Sequence, residues 1–463
     1  MPDPRMPNSL EPDRPLAYEG PDIERPASSA PGEQFAEHDT SAAPHDPYAA
    51  WRLRDFRLYS VGWVLSVIGQ QIQDVAVGWD IFNRTQAEAQ LNPFLALGLI
   101  GAVLAAPVVL LGIPAGALAD RFDRRKIIMF SLGGAAAAAL ALAWLSHVHA
   151  PLWSMYVSLL AGATASAVGW PARSALLPQL VPARDFSNAA TWNSSMFQVA
   201  SMVGPALGGA ILIKSPALAY VVDAGFLLAF VAFLIPLNVK PIARPREPIS
   251  LASVAAGVRF VFRTKIILAT ITLDLFAVLF GGATALIPAY AKDILHVGSV
   301  GFGILRASPA VGALGMALWL THRPPMKHAG RDMVAAVAGF GLATIVFGLS
   351  RNFPLSCLML LLTGACDNIS VVVRHTLVQM LTPDEMRGRV SAVNNIFIGA
   401  SNELGGLESG LTAWWLGAVR SVVLGGIGTI AVVAGVAGIW PQVLRFGSLQ
   451  DARPEGHGKK EED

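Results

Sequence analysis

The sequence predicts an all-α integral membrane protein in which twelve transmembrane helices form two parallel six-helix repeats. Hydrophobic residues make up 53% of the 463 and charged residues only 14%, whereas a soluble domain carries about 25% charged residues. That apolar excess needs a solvent other than water. Twelve segments with the length and apolarity that a bilayer demands fit between Phe56 and Leu444. Part of the second half also repeats part of the first at a fixed offset.

Residues 1–50 hold ten Asp and Glu, three Arg and ten Pro, and no apolar run. Such a stretch cannot bury enough apolar surface to offset chain entropy, so it reads as a disordered acidic tail rather than a signal peptide. Setting it aside leaves 31 basic residues (34 − 3) against 22 acidic ones (32 − 10). Membrane insertion is therefore expected to start with the first apolar helix.

A helix needs about 20 mostly apolar residues to cross roughly 30 Å of hydrocarbon. The qualifying segments are 56–81, 93–117, 127–147, 152–172, 188–212, 216–238, 265–290, 300–320, 332–350, 354–374, 389–416 and 421–444. Lys and Arg concentrate in alternate connections: Arg52, Arg54 and Arg57; Arg121, Arg124, Arg125 and Lys126; Arg173 and Arg184; Lys240 through Lys265; Arg323, Lys327 and Arg331; Arg374, Arg387 and Arg389. The opposite connections offer Arg84, Lys214, Lys292, Arg351 and Arg420. Short cytoplasmic loops retain positive charge, so both termini are expected in the cytoplasm and the protein in the cell inner (plasma) membrane. Between the sixth and seventh segments, Lys240 to Ser250 reads as a Pro-rich basic linker, and Leu251 to Arg263 as a short interfacial helix. The expected units are the tail (1–50), a six-helix bundle (51–239), a cytoplasmic linker (240–264), a second bundle (265–446) and a cytoplasmic tail (447–463).

The internal repeat is the most informative feature. Arg173-Ser-Ala-Leu-Leu-Pro-Gln-Leu-Val-Pro182 lies over Arg374-His-Thr-Leu-Val-Gln-Met-Leu-Thr-Pro383 at an offset of 201 (374 − 173), and the same offset pairs Asn193 with Asn394, Gly204 with Gly405 and Gly209 with Gly410. The fourth and fifth segments thus correspond to the tenth and eleventh. Six crossings return a chain to the same side, so the halves are parallel repeats. Two bundles related by an axis along the membrane normal, with a site between them near mid-membrane, is the architecture from which alternating access follows. Arg173 and Arg374 are placed at the cytoplasmic ends of their helices.

Two motifs resemble those of a known family. After the second segment, Gly116-Ala-Leu-Ala-Asp-Arg-Phe-Asp-Arg-Arg-Lys126 is similar to the loop signature of the major facilitator superfamily, departing from it at Asp123, where the pattern has glycine. In the fifth, Gly204-Pro205-Ala-Leu-Gly208-Gly209 resembles that superfamily's antiporter motif. Trp170 through Pro182, Gly257 through Arg263 and Gly301 through Gly315 resemble the branch of enterobactin exporters and macrolide-efflux-like permeases, and the likeness runs over residues 50 to 446. The resemblance implies the major facilitator fold, a monomer, and a gating loop of Gly116, Asp120, Arg121, Arg124 and Arg125 that controls conformational change without contacting substrate. There Asp120 is expected to accept from backbone N–H groups at a neighbouring helix N-terminus, and the arginines to meet lipid headgroups. The antiporter-like motif, whose proline bends the helix and whose glycines admit a partner helix, implies export. The drug-exporter arginine within the fourth segment is absent; Arg173 is the nearest.

An ionisable side chain at the centre of a spanning helix costs at least about 2.5–3.5 kcal/mol, so it persists where it faces a wet cavity or a partner. Asp74 shares a face with Gln70 and Gln73; Asp367 lies among Thr363, Ser370 and Arg374; and the eleventh segment carries a stripe of Ser391, Asn395, Gly399, Asn402 and Gly406, with Glu403 beside it. Asp74 and Asp274, 200 residues apart (274 − 74), read as repeat counterparts at similar depth, and as the leading candidates for binding protons and attracting polar substrate groups. Asp80, Asp223 and Arg306 read as packing. Cys357 and Cys366 share one apolar segment and have no His or Cys at ligand spacing, so neither disulfide nor metal is expected. No cofactor motif, nucleophile triad or nucleic-acid signature appears, which argues against an enzyme. The expected partners are a small amphiphilic substrate (siderophore or drug-like), protons and membrane lipids, with no nucleic acid. The expected activity is proton-coupled export, with a lysophospholipid or lipid flippase on the same fold as the alternative.

Overall fold

The computed structural model describes residues 46–88, 91–237, 239, 251–281, 283–324 and 326–447. The expected tails up to residue 45 and beyond 447, and the basic stretch 240–250, lie outside the described residues. The chain divides into Met1–Pro47 and Tyr48–Asp463, and the described helices belong to the second unit.

That unit is almost wholly helical. In chain order it holds α1 (Arg54–Glu88), α2 (Pro93–Arg121), α3 (Arg124–His147), α4 (Leu152–Leu180), α5 (Phe186–Ile211), α6 (Pro216–Leu234), α7 (Leu251–Arg263), α8 (Lys265–Phe280), α9 (Ile287–Ala289), α10 (Gly298–Thr321), α11 (Ala329–Leu349), α12 (Phe353–Leu381), α13 (Asp384–Leu416), α14 (Ala418–Ile439) and α15 (Pro441–Arg445). Among the described residues, nine helical stretches are long and apolar enough to cross a membrane: α2, α3, α4, α6, α8 with its continuation to Ile294, α10, α11, α12 and α14. Helices α1, α5 and α13 are equally long but polar, carrying for instance Gln70, Gln73 and Asp74, Asn193 and Ser201, and Asn402 and Glu403. Polar residues on otherwise apolar helices mark the faces that do not meet lipid.

Four helices, α2, α3, α6 and α12, have starts capped by side chains, which satisfy backbone N–H groups that the helix leaves open. Asn92 accepts from Phe94 N at 3.0 Å, Ser215 from Leu218 N at 3.2 Å and Asn352 from Leu355 N at 3.0 Å, each beside a proline in the first turn. Two helices stop just before a proline. Val181 and Thr382 are extended because Pro182 and Pro383 disfavour the helical conformation of the preceding residue. Two expectations need correction. Helices α4 and α12 run on to Leu180 and Leu381, past the expected ends at 172 and 374, because Pro178 is carried inside α4 and does not end it. The expected single segment 265–290 is broken at Gly281, passing through a 3-10 turn (Ala283–Leu286), α9 and a π turn (Tyr290–Ile294). Thr264, with ψ 93°, separates α7 from α8, so the helix expected at Leu251 to Arg263 stands apart from the next one, and α7 packs on α8 and α13.

Helices α1 to α6 pack mainly among themselves: α3 on α4 and α6, α1 on α5 and α6, α2 on α4. Helices α8 to α14 do likewise, with α10 on α12, α11 on α12 and α14, and α8 on α13 and α14. The two sets meet along two extensive seams, α2 with α13 and α5 with α10. We call the face holding the start of α1 and the end of α14 the terminal face, and the opposite one the distal face. On the distal face one apolar cluster draws on both sets, including Ile81, Phe82 and Tyr220 with Tyr290, Phe302 and Phe347. Towards the terminal face the clusters are separate, two from the first set (Tyr59, Ile128, Leu176, Phe230; and Ala50, Phe56, Val181, Ala189) and one from the second (Ile267, Met333, Leu377, Val436). The sets are fused on one face and have independent cores on the other.

Candidate functional site

Between the two sets, three charged side chains from three helices come within electrostatic range of one another: Asp74 of α1, Arg306 of α10 and Glu403 of α13. All three are half-buried. Arg306 donates from Nη1 to the Thr284 carbonyl at 3.3 Å, in the broken stretch after α8. Gln70 and Asn402 are exposed and Gln73 half-buried, while the side chain of Asn395 lies outside the described residues. The rest of the α13 stripe divides: a Cβ on Gly399 would meet Val108 of α2 at 3.2 Å, whereas Asn402 stays open. Asp223 of α6 also feels Asp74, and its buried Oδ1 has no hydrogen-bond partner. A trio with two carboxylates and one guanidinium suits a polar or cationic group with an apolar body. Reading Arg306 as packing was an error whose signal was available: an arginine eight residues into an apolar helix needs a partner.

A second charged group lies inside the α8–α14 set. Asp274 Oδ2 is 2.7 Å from Arg374 Nη1, with both side chains almost fully buried. Asp367 interacts with both. Asp274 is therefore not the counterpart of Asp74. With α5 and α13 in register at 201, a Cβ on Gly204 would meet Gln71 at 2.5 Å, and one on Gly405 would meet Leu279 at 3.3 Å. The packing thus relates α1 to α8 at 208 (279 − 71), which puts Asp274 over Ser66, about two turns nearer the terminal face than Asp74. Arg173 and Arg374 are repeat-related, but neither is at a helix end; each sits seven residues before its helix stops. Arg374 has Asp274, whereas Arg173 has the Ser166 carbonyl at 3.4 Å and the Trp170 ring, 5.9 Å from its guanidinium carbon.

The gating loop is built by capping. Helix α2 ends at Arg121, and Asp123 caps α3 by accepting from Arg125 N at 2.9 Å. With φ −63° and ψ 113°, Asp123 needs none of glycine's freedom, so the departure from the family pattern leaves the turn tight. Arg124 donates to the Ala175 carbonyl of α4 at 3.1 Å, and Arg125 to the carbonyls of Leu237, at 3.0 Å, and Ile235 beyond α6. These arginines tie α4 and the end of α6 to the loop. Asp120 lies 4.0 Å from Arg124, on its own loop rather than at a neighbouring helix N-terminus; Gly116 is buried and Arg121 exposed. Asp123→Ala is expected to cost about 1 kcal/mol of stability and Asp123→Gly a few tenths. Thermal unfolding of the purified variants checks this, and equal losses would remove the cap from the account.

The antiporter-like motif faces two ways. Gly204 and Gly208 seat α5 on α1, where a Cβ would meet Gln71 at 2.5 Å and Val75 at 3.1 Å. Gly209 faces α10: its Cβ would fall 2.6 Å from the Ser299 carbonyl and 2.8 Å from Gly303 Cα, while a Cβ on Gly303 would lie 2.6 Å from the Pro205 carbonyl. The repeat-related Gly410 makes the same backbone contact on α2, where its Cβ would fall on Gly98 Cα, 2.8 Å from the Phe94 carbonyl. Beside these seams, Trp79 stacks on Phe302 with ring centres 5.4 Å apart. Gln86 donates to Asp293 at 2.9 Å, and Lys292 donates to Asn83. This distal latch went unread in the sequence. Within the first set, Asp80 pairs with Arg84 at 2.9 Å, accepts from Ser146 at 2.7 Å, and Arg84 donates to the Ser146 and Ala150 carbonyls that end α3.

Among the described residues no group of three His, Cys, Asp or Glu side chains gathers as metal ligands would. Residues 45–457 match a family described as transmembrane secretion effector. The enterobactin exporter EntS of Citrobacter koseri is 27% identical over 387 residues, 81% of this chain and 89% of that one. EntS of Escherichia coli O1:K1 is 26% identical over 367 residues, covering 77% and 86%. In fold, the chain is similar to a bacterial homologue of the human lysosomal transporter Spinster in an inward-facing, unoccupied conformation, with TM-score 0.64 and 14% identity over 87% of this chain and 98% of that one. It is likewise similar to a POT family transporter in complex with 5-aminolevulinic acid, with TM-score 0.65 and 12% identity over 84% and 97%. The chain belongs to the transmembrane secretion effector family of the major facilitator superfamily, and is a multi-pass membrane transporter rather than an enzyme.

Proposed function

We propose that the chain exports a small amphiphilic molecule, siderophore-like or drug-like, from the cytoplasm by proton antiport with alternating access. The observation that carries the reading is the charged trio of Asp74, Arg306 and Glu403 at the meeting of two helix sets that share a core on the distal face and keep separate cores towards the terminal one. In this reading α1, α5 and α13 also cross the membrane, which makes twelve crossings in two bundles (51–239 and 265–446) joined by 240–264. The basic terminal face with both termini is cytoplasmic, the substrate enters from there, and the protein works as a monomer among lipids. Gln70, Gln73, Asn402 and Asn395 supply uncharged polar contacts. The names of the EntS relatives support export.

The energetics close. A proton-motive force of roughly 150–200 mV supplies about 3.5–4.5 kcal/mol per proton, enough for close to a thousandfold substrate gradient. The test is accumulation in everted vesicles of a panel of catecholate siderophores, macrolides and cationic dyes, with a protonophore control. Asp74→Asn is expected to abolish accumulation of the transported member at normal expression. Accumulation indifferent to protonophore would end the antiport reading, and translocation of labelled lysophospholipid without accumulation of any panel member would favour a flippase.

A further inference from the structure

The α8–α14 set contains a charge imbalance that the inter-set trio does not explain. Asp274, on α8, and Asp367, on α12, bring two carboxyl groups to one guanidinium, that of Arg374. With them, Cys366, Ser370 and Phe340 line a cavity with room for about one water molecule. No organic substrate fits there. Ser370 is 2% exposed and its hydroxyl has no hydrogen-bond partner; Arg374 is 3% exposed and its Nε has none either. Among the described residues, the charges that act on Asp367 are those of Asp274 and Arg374. Val337 and Phe340 come from α11, and Ala277 and Val278 from α8. Cys366 adjoins Asp367, and the exposed His375 adjoins Arg374.

We infer that Asp367, with Ser370 and the Asp274–Arg374 pair, forms a proton-binding site enclosed in the second helix set and separate from the substrate site between the sets. A buried surplus carboxylate without a counter-charge is costly, so the site is electrically balanced when Asp367 carries one proton: Asp274 neutralises Arg374, and the Asp367 carboxyl is neutral. On release, the proton passes from Asp367 to water in the cavity, and the resulting carboxylate can accept a hydrogen bond from the unused Arg374 Nε–H. Arg374 then serves α12 and α8 together, and proton release becomes a change in how those helices are tied. The inference rests on the reading of the chain as a coupled transporter only for its purpose. The site itself can be tested without substrate.

The experiment is infrared difference spectroscopy of the full-length protein in liposomes, between acidic and alkaline buffer, in the region of protonated-carboxyl stretching. A band is expected in the wild type that is lost in Asp367→Asn and persists in Asp74→Asn. Asp367→Glu, which retains an acid, should move the band in frequency, and this arm decides the question if the Asn variant does not fold. Loss of no band in Asp367→Asn, or no movement in Asp367→Glu, overturns the inference. So does a thermal stabilisation by sodium chloride over choline chloride that Asp367→Asn abolishes, since the cation would then be sodium. The expected bands in a protein that moves none of the transport panel would uphold the site and discard the export reading, so the two fail separately.

Discussion

Gly410→Val is expected to abolish transport by preventing closure of the distal face, in a protein that still folds. The Cβ of any residue at 410 falls on Gly98 Cα, 2.5 Å from Gly98 N and 2.8 Å from the Phe94 carbonyl. These are all backbone atoms of α2, and none can rotate away. Overpacking of this kind costs about 1–3 kcal/mol where side chains can adjust, and more where only helices can move. The cost falls on the state in which α2 and α13 touch, so it converts to a shift of the conformational equilibrium by a factor of ten for each roughly 1.4 kcal/mol. Gly209→Val should act alike through Ser299 and Gly303 of α10. The check is cross-linking of cysteines at Gln86 and Asp293, which are hydrogen-bonded across the distal latch. It should fall together with transport in either valine variant. Undiminished cross-linking with undiminished transport would show that the seam does not gate.

The largest stability effect is expected for Arg374→Ala. Removing one partner of a buried pair leaves an uncompensated charge and typically costs about 3–5 kcal/mol. Here the pair is 2.7 Å apart with side chains 3% and 6% exposed, and Asp367 adds a second carboxyl. Arg374→Gln with Asp274→Asn keeps the volume and permits a neutral hydrogen bond, so the double variant should recover most of the loss. Thermal unfolding of purified proteins measures both. Equal losses in single and double variants would mean that packing volume, not charge, makes Arg374 necessary.

Much of the fold was legible because the bilayer imposes long apolar runs, and because the repeat placed α4 and α5 over α12 and α13. The misses have separate causes. The expected ends of α4 and α12 followed the apolar runs, whereas the helices continue through polar residues until Pro182 and Pro383 end them. The break after Phe280 was hidden because the residues on either side are equally apolar. Asp74 and Asp274 were paired on a numerical near-match, whereas α1 and α8 are related by packing on glycines, which single residues do not reveal. Arg306 was undervalued because its partners, Asp74 and Glu403, stand on helices far away in sequence. The polar faces of α1 and α13 were visible, but only the tertiary arrangement shows that they meet α10.

The contacts of Gly209 with Gly303 and of Gly410 with Gly98 bring main chain against main chain. Closing them immobilises no rotamers, and opening them strips no backbone group of its partner, since helical N–H and C=O groups are already paired along their own helices. Such a joint has little adhesion and little friction. The balance between its two positions is then left to the groups that do discriminate: the shared apolar cluster with the Gln86–Asp293 and Lys292–Asn83 bonds favours the closed distal face, and the charged trio lies outside that seam. A transporter built on smooth joints needs only small differences in binding to turn over.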